Sequence, residues 1–360
     1  MRRVYALSAF IPVAIVLEIA NAPDTAVFFA AALGIVPTAQ LMSDATEALA
    51  ARSGPGIGGL LNVTFGNAPE LIIAIFALGQ GLQEVVKASL VGSVIGNALL
   101  VLGFAMGAGG LKRGEQAFNR DHARVQSLTL LAVGAVLVVP TVVRALAGGS
   151  LPGIEEHRHH FPGGLEAVAL AVAVVLVLVY AWELARSVRS RTGRFEPVPE
   201  EVQPEGGVWS VRRSVVLLAV AAVLVGVMSD VLVHSILGAS RSIGLSPFFI
   251  GVFVVGIVGN AAEHWVAVVV AIKDQMDLAL NIALGSSVQI AMLVTPLLVL
   301  LSFLVGPHPM ALVFNGYEVA ALLAAGVMAL LVTLGPRSTW RQGAALLGVY
   351  AAFGVVIELA

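Results

Sequence analysis

The chain has no cysteine, so a disulfide framework and a thiolate metal site are both excluded. Charge is scarce as well. Only 12% of the 360 residues are Asp, Glu, Lys or Arg, against 58% hydrophobic residues and a mean hydropathy of +0.95. A soluble protein cannot bury that much apolar surface, so the sequence describes a polytopic membrane protein. Neither sign of charge prevails: the net charge of −2 identifies no charged partner, and nucleic acid is not expected among them. Met1-Arg2-Arg3 ahead of an apolar run imitates a signal peptide, but no small-residue cleavage pattern stands out from the Ala-rich background. The first run is therefore expected to remain as the first span.

What is abundant is spanning-length apolar sequence. Such runs fall at 4–22, 24–51, 55–79, 83–109, 123–146, 165–188, 208–237, 247–271, 275–304, 313–335 and 339–358, which predicts an all-α protein of eleven transmembrane helices. Asp24, Pro55, Ser246-Pro247 and Ser338-Thr339 supply helix-start chemistry. With a cytoplasmic N-terminus, 16 of the 20 basic residues fall on the inside, leaving Lys87, Arg144, Arg158 and Arg241 outside. That split predicts an external C-terminus.

Two stretches of the chain are versions of each other. Gly66-Asn67-Ala68-Pro69-Glu70 returns 193 residues later as Gly259-Asn260-Ala261-Ala262-Glu263. Gly92-Ser93-Val94-Ile95 returns at the same offset as Gly285-Ser286-Ser287-Val288. Met42-Ser43-Asp44 resembles Met228-Ser229-Asp230 more weakly. Five predicted helices separate the copies, and an odd number inverts the second. The expected organisation is helix 1 (1–23), a first five-helix repeat (24–188), an acidic cytoplasmic linker (189–207) and an inverted second repeat (208–360).

Each copy carries a carboxylate deep in an apolar helix. Ionised groups at that depth are costly and mark ion or proton pathways. Gly66 and Asn67 lie four and three residues before Glu70, on one helical face. Gly66 and Pro69 both weaken the helix, and freed carbonyls in a membrane persist only where they line a cavity or bind something. The second copy lacks the proline, so a break there rests on Gly259. Two carboxylates, two side-chain amides and several carbonyls form a hard-oxygen set suited to Ca²⁺. Plainer readings accompany each residue. A membrane glutamate can be a hydrogen-bonded strut, Gly92 and Gly96 can be helix packing, and Asn97 and Gln289 can be interhelical glue. Asp44 and Asp230 read as helix-rim charges, Asp24 as a helix cap, and Glu18 as a residue near the outer helix end. His264 points about 100° away from Glu263 and reads as packing or steering. Glu155-Glu156-His157-Arg158-His159-His160 reads as a solvated loop.

The segment Gly66–Ile73 followed by Gly92–Gly103 resembles the first signature of the cation/proton exchanger branch of the calcium/cation antiporter superfamily. Gly259–His264 followed by Gly285–Ile290 resembles the second. The sodium/calcium branch typically has a Thr-Ser pair where this chain has Asn67 and Asn260. The resemblance implies eleven helices, Ca²⁺/H⁺ exchange, and Glu70 and Glu263 as ion-binding carboxylates. It also implies Asn67, Asn260 and carbonyls near Gly66 and Gly259 as ligands. Ser93, Asn97, Ser286 and Gln289 match its polar positions. Gly96 departs from it, since a serine is common there.

Charge balance then suggests a mechanism. Two ionised glutamates hold −2, which one Ca²⁺ or two protons neutralise, so either loaded form can move past an apolar barrier. Helices 2 and 7 are the expected moving elements. The partners expected are Ca²⁺, H⁺ and the bilayer of a prokaryotic plasma membrane, with a homo-oligomer allowed and no cofactor. Rival readings are a Na⁺/Ca²⁺ or Mn²⁺ exchanger on the same fold, a cation channel, or a metal sensor. An intramembrane hydrolase has no placed nucleophile or open zinc site to support it.

Overall fold

The computed structural model describes residues 4–153, 161, 163–190 and 209–359. The Glu155–His160 loop and residues 191–207 of the expected linker lie outside them. The described chain is helical almost throughout: α1 (Val4–Ile19), α2 (Asp24–Phe65), α3 (Ala68–Gly79), α4 (Gln83–Arg113), α5 (Arg120–Leu146) and α6 (Gly163–Ser190) come first. Then follow α7 (Val211–Ile243), α8 (Pro247–Val258), α9 (Ala261–Ile272), α10 (Met276–Leu301), α11 (Gly316–Val332) and α12 (Trp340–Glu358). Seven helical stretches are long and apolar enough to cross a membrane, and α8 with α9 forms an eighth candidate, bent by 59° at its break. The one departure from helix pairing among the described residues is a two-residue antiparallel ladder, Gln116–Ala117 with Arg337–Ser338.

Local chemistry explains the ends. Ser246 caps α8 by accepting the Phe249 N–H at 3.0 Å, and Thr339 with Gln342 forms a capping box on α12. Pro23 holds the cap position of α2, with Asp24 in its first turn. The helical range runs on past Pro55, but the stretch long and apolar enough to span ends at Ser53. A straight helix of 42 residues would reach about 63 Å, twice a hydrocarbon core. Instead the chain doubles back: a Cβ on Gly58 would lie 2.6 Å from the Ala50 carbonyl oxygen.

The chain divides into two compact units, each drawn from both halves of the sequence. The first contains the described residues of Met1–Ala77, Leu178–Leu245 and Val258–Ala262. In it α2 lies along α7, with Gly34 set against Met228 Sδ and Asp24 packed onto Gly238. Tyr5 ties α1 to α2 by donating to Asp44 Oδ2 at 2.6 Å. Val215, Val216, Val220, Val223 and Val227 form an exposed apolar stripe on α7, the surface expected of a lipid-facing helix. The second unit contains Leu78–Val177, Ser246–Ile257 and Glu263–Ala360. Its centre is the crossing of α4 and α8, where Gly92 touches the Val252 backbone and Gly256 touches the Gly92 backbone. A side chain at any of these glycines would force the helices apart.

The 193-residue offset reaches into the element boundaries. α3 and α9 are both 12 residues long, beginning at Ala68 and Ala261. α4 and α10 begin at Gln83 and Met276, and each widens into a π-helical stretch, Gly96–Val101 and Ile290–Val294. Single π turns inside helices are frequent at functional sites.

Candidate cation site

In the first unit the chain breaks at Gly66 and Asn67, between α2 and α3. Gly66 N–H still bonds the Asn62 carbonyl, and Leu71 N–H bonds that of Asn67 at 3.2 Å, so Asn67 and Glu70 keep helical spacing. Pro69 is the second residue of α3, where its missing N–H is harmless. Glu70 is the third, in the first turn, where the helix N-terminus favours a carboxylate. Its side chain is buried, as are Asn67 and Asn260. Phe65, Ala68 and Ile72 pack with Met42, Ala221 and Leu218, which fixes the break between α2 and α7. Gly259 belongs to this unit. A Cβ there would lie 2.8 Å from Glu70 Oε1 and 3.0 Å from its Cγ, so only glycine lets the carboxylate approach.

The second unit holds the other carboxylate. Glu263 is also the third residue of its helix, α9, after a break at Gly259 and Asn260. It is half-buried and accepts a 2.5 Å hydrogen bond from Ser286 Oγ on α10, short as charge-assisted O–H···O bonds are. Ser93 donates to the Gly256 carbonyl at 3.2 Å. Asn97 is fully buried in the π-helical stretch of α4, with His264 Nε2 3.1 Å from its Oδ1. Gln289 is the last residue before the π-helical stretch of α10. Gly96 is buried, yet a Cβ built on it meets nothing within 4 Å, so a serine would fit.

Two features escaped the sequence reading. The contact between His264 and Asn97 gives the steering expected of His264 a target, but no spacing along one chain could reveal it. Ser287, to which the motif assigned no role, donates to the Val94 carbonyl at 3.2 Å. Positions 94 and 287 are equivalent at the 193 offset. Asp230 is exposed beside His234, and Asp44 is half-buried with Tyr5 and Gln40. Among the described residues no three His, Asp or Glu side chains cluster as a metal site.

Breaks in apolar helices, each followed at once by a first-turn carboxylate, define an ion-translocating membrane protein and not an enzyme. The sequence profile of the sodium/calcium exchanger protein family matches residues 24–189 and 213–357, and the chain belongs to that family. It is 41% identical, over 91% of its length and 89% of the relative's, to a Ca²⁺/H⁺ antiporter of Synechocystis sp.. It is 36% identical, over 99% of both chains, to the Ca²⁺/H⁺ antiporter ChaA of Bacillus subtilis. The solved structure of native YfkE is similar over 98% of both chains, with 33% identity and a TM-score of 0.81.

Proposed function

We propose that the chain exchanges Ca²⁺ for H⁺, with Glu70 and Glu263 as the groups for which the two ions compete. The observation that carries this reading is full-length similarity to Ca²⁺/H⁺ antiporters, joined to two glutamates at equivalent helix starts. An empty pair of ionised carboxylates carries −2 in a medium of low dielectric. One Ca²⁺ or two protons neutralise it, so both loaded forms can cross an apolar barrier that the empty form cannot. Asn67, Asn260, Ser93, Asn97, Ser286, Gln289 and the carbonyls near Gly66 and Gly259 complete the ligand set in this proposal. Alternating access assigns the movement to α2 and α7, which pack along each other.

The proposal includes a topology. Eleven crossings follow if the end of α2 and α3 form one broken span, as α8 and α9 do. Helix 1 then precedes two inverted five-helix repeats, with the N-terminus cytoplasmic and the C-terminus outside a prokaryotic plasma membrane. Matched element starts support the inversion. Reporter fusions at residues 200 and 360 test it, and both reporters on one side would defeat it.

The decisive experiment is Ca²⁺ flux in proteoliposomes under an imposed pH gradient without sodium. Uptake should follow the gradient, and apparent Ca²⁺ affinity should weaken as pH falls on the binding side. Flux driven only by sodium would assign the chain to Na⁺/Ca²⁺ exchange. Flux needing no counter-ion would make it a channel.

A further inference from the structure

A second set of buried charges lies away from the glutamates of the exchange reading, wholly within the second unit. Lys87 on α4 is 1% exposed. Its Nζ donates to Glu84 Oε1 at 2.8 Å and to the Val313 carbonyl at 2.7 Å, and sits 5.9 Å above the Phe161 ring. Glu318, in the first turn of α11, is also 1% exposed. Its Oε2 accepts the Asn315 N–H at 2.7 Å, closing a capping box. Its Oε1 is buried and receives no hydrogen bond from any described residue. At the 193 offset Glu84 has a like residue in Asp277, whereas Lys87 falls on Leu280 and Glu318 on Val125. This cluster is therefore outside the symmetry that unites the two glutamate motifs.

The surroundings explain why a charge is kept here. Residues 310–315, Met-Ala-Leu-Val-Phe-Asn, are buried but not helical, so their backbone needs partners from elsewhere. Ser302 takes the Met310 N–H, Thr141 takes the Phe314 N–H, and Lys87 takes the Val313 carbonyl. Lys87 is thus committed to a backbone oxygen and to Glu84. Glu84 and Lys87 are the charged groups that act on Glu318, and Arg144 is turned to Phe161 and the Ser150 carbonyl. One ammonium faces two carboxylates. The α11 N-terminus favours an anion at Glu318 only weakly, compared with leaving a charged oxygen buried without a donor.

We propose that Glu318 is a proton-binding site, separate from Glu70 and Glu263, whose proton resides on Oε1 and leaves the Glu84–Lys87–Glu318 cluster neutral. Loading and release of this proton make the 310–315 segment and the start of α11 sensitive to pH. The proposal stands on the geometry of this cluster, and only its test rests on the exchange reading, in which Ca²⁺ keeps Glu70 and Glu263 ionised.

Infrared spectroscopy of the carboxylic-acid C=O stretch tests it. Protein saturated with Ca²⁺ is used, so that carboxylates bound to the cation stay ionised. The wild type should show a protonated-carboxyl band at neutral pH that disappears on alkalinisation. Glu318→Gln should lose that band and melt where the wild type does, because glutamine keeps an acceptor for the Asn315 N–H. If that variant does not fold, Lys87→Met supplies the test, since removing the ammonium should carry the band to more alkaline pH. A band that survives in Glu318→Gln, or that does not move in Lys87→Met, overturns the proposal.

Discussion

The two helix breaks match in position but not in what surrounds them. Both put a glutamate third in a 12-residue helix. At the first, Pro69 follows the break and Glu70 is buried against Gly259. At the second there is no proline, and Glu263 is half-buried and tied to Ser286. The serine equivalent to Ser286 is Ser93, which donates to the Gly256 carbonyl. The carboxylates and the helix starts that present them match, while the proline does not. The comparison predicts that the carboxylates are indispensable at both breaks and that Pro69 is not.

The largest effect belongs to the carboxylates. Glu70→Gln and Glu263→Gln should each abolish Ca²⁺ uptake in proteoliposomes while the protein still folds. Each removes a charge that neutral neighbours cannot replace. A Gln variant at either position with near-normal uptake would show that carboxylate to be structural.

Next comes Gly259→Ala. Its methyl group would meet the Glu70 carboxylate at 2.8 Å, which something must relieve. Overpacking of this kind costs about 1–3 kcal/mol, so Ca²⁺ affinity should fall roughly 5- to 150-fold if Glu70 is displaced. Gly96→Ala is the matched control, since its methyl group meets nothing within 4 Å and should leave affinity alone. Equal losses in both variants would mean that glycine acts through helix flexibility and not through the approach of Glu70.

A smaller effect belongs to Ser286. Ser286→Ala removes a hydrogen bond to a carboxylate, worth about 1.5–3 kcal/mol. Calcium titrations should show weaker binding in this variant. Unchanged affinity would make the hydroxyl dispensable.

Much of this was legible in the sequence. Hydropathy located the seven stretches long and apolar enough to cross a membrane, because lipid leaves a helix no alternative way to satisfy its backbone. The 193 offset located both breaks and both glutamates. What was not legible depended on tertiary approach. Nothing along the chain says that Gly259 faces Glu70, that His264 reaches Asn97, or that Ala50 meets Gly58. The Glu84–Lys87–Glu318 cluster was missed for a different reason: topology counting treated Lys87 as an outside charge, but in the fold it is buried, satisfying a carbonyl of a non-helical segment.

The smallest expected effect is the most instructive about the breaks. Proline at an interior helix position removes a donor and kinks the chain, which makes Pro69 the obvious cause of the first break. The second break argues otherwise. α8 and α9 part at the equivalent glycine and asparagine with Ala262 in the proline's place, and they bend by 59°. Pro69 sits in the first turn of α3, where it removes no bond that the half-helix needs. The common elements are the Gly-Asn pair and the carboxylate behind it. Pro69→Ala should therefore keep the break, with uptake within about twofold of wild type and stability lowered by about 1 kcal/mol or less, the entropic advantage of proline in the unfolded chain. Circular dichroism, melting and flux on the one variant decide the matter. Gain of helix with loss of uptake would show that the first break, unlike the second, is made by its proline.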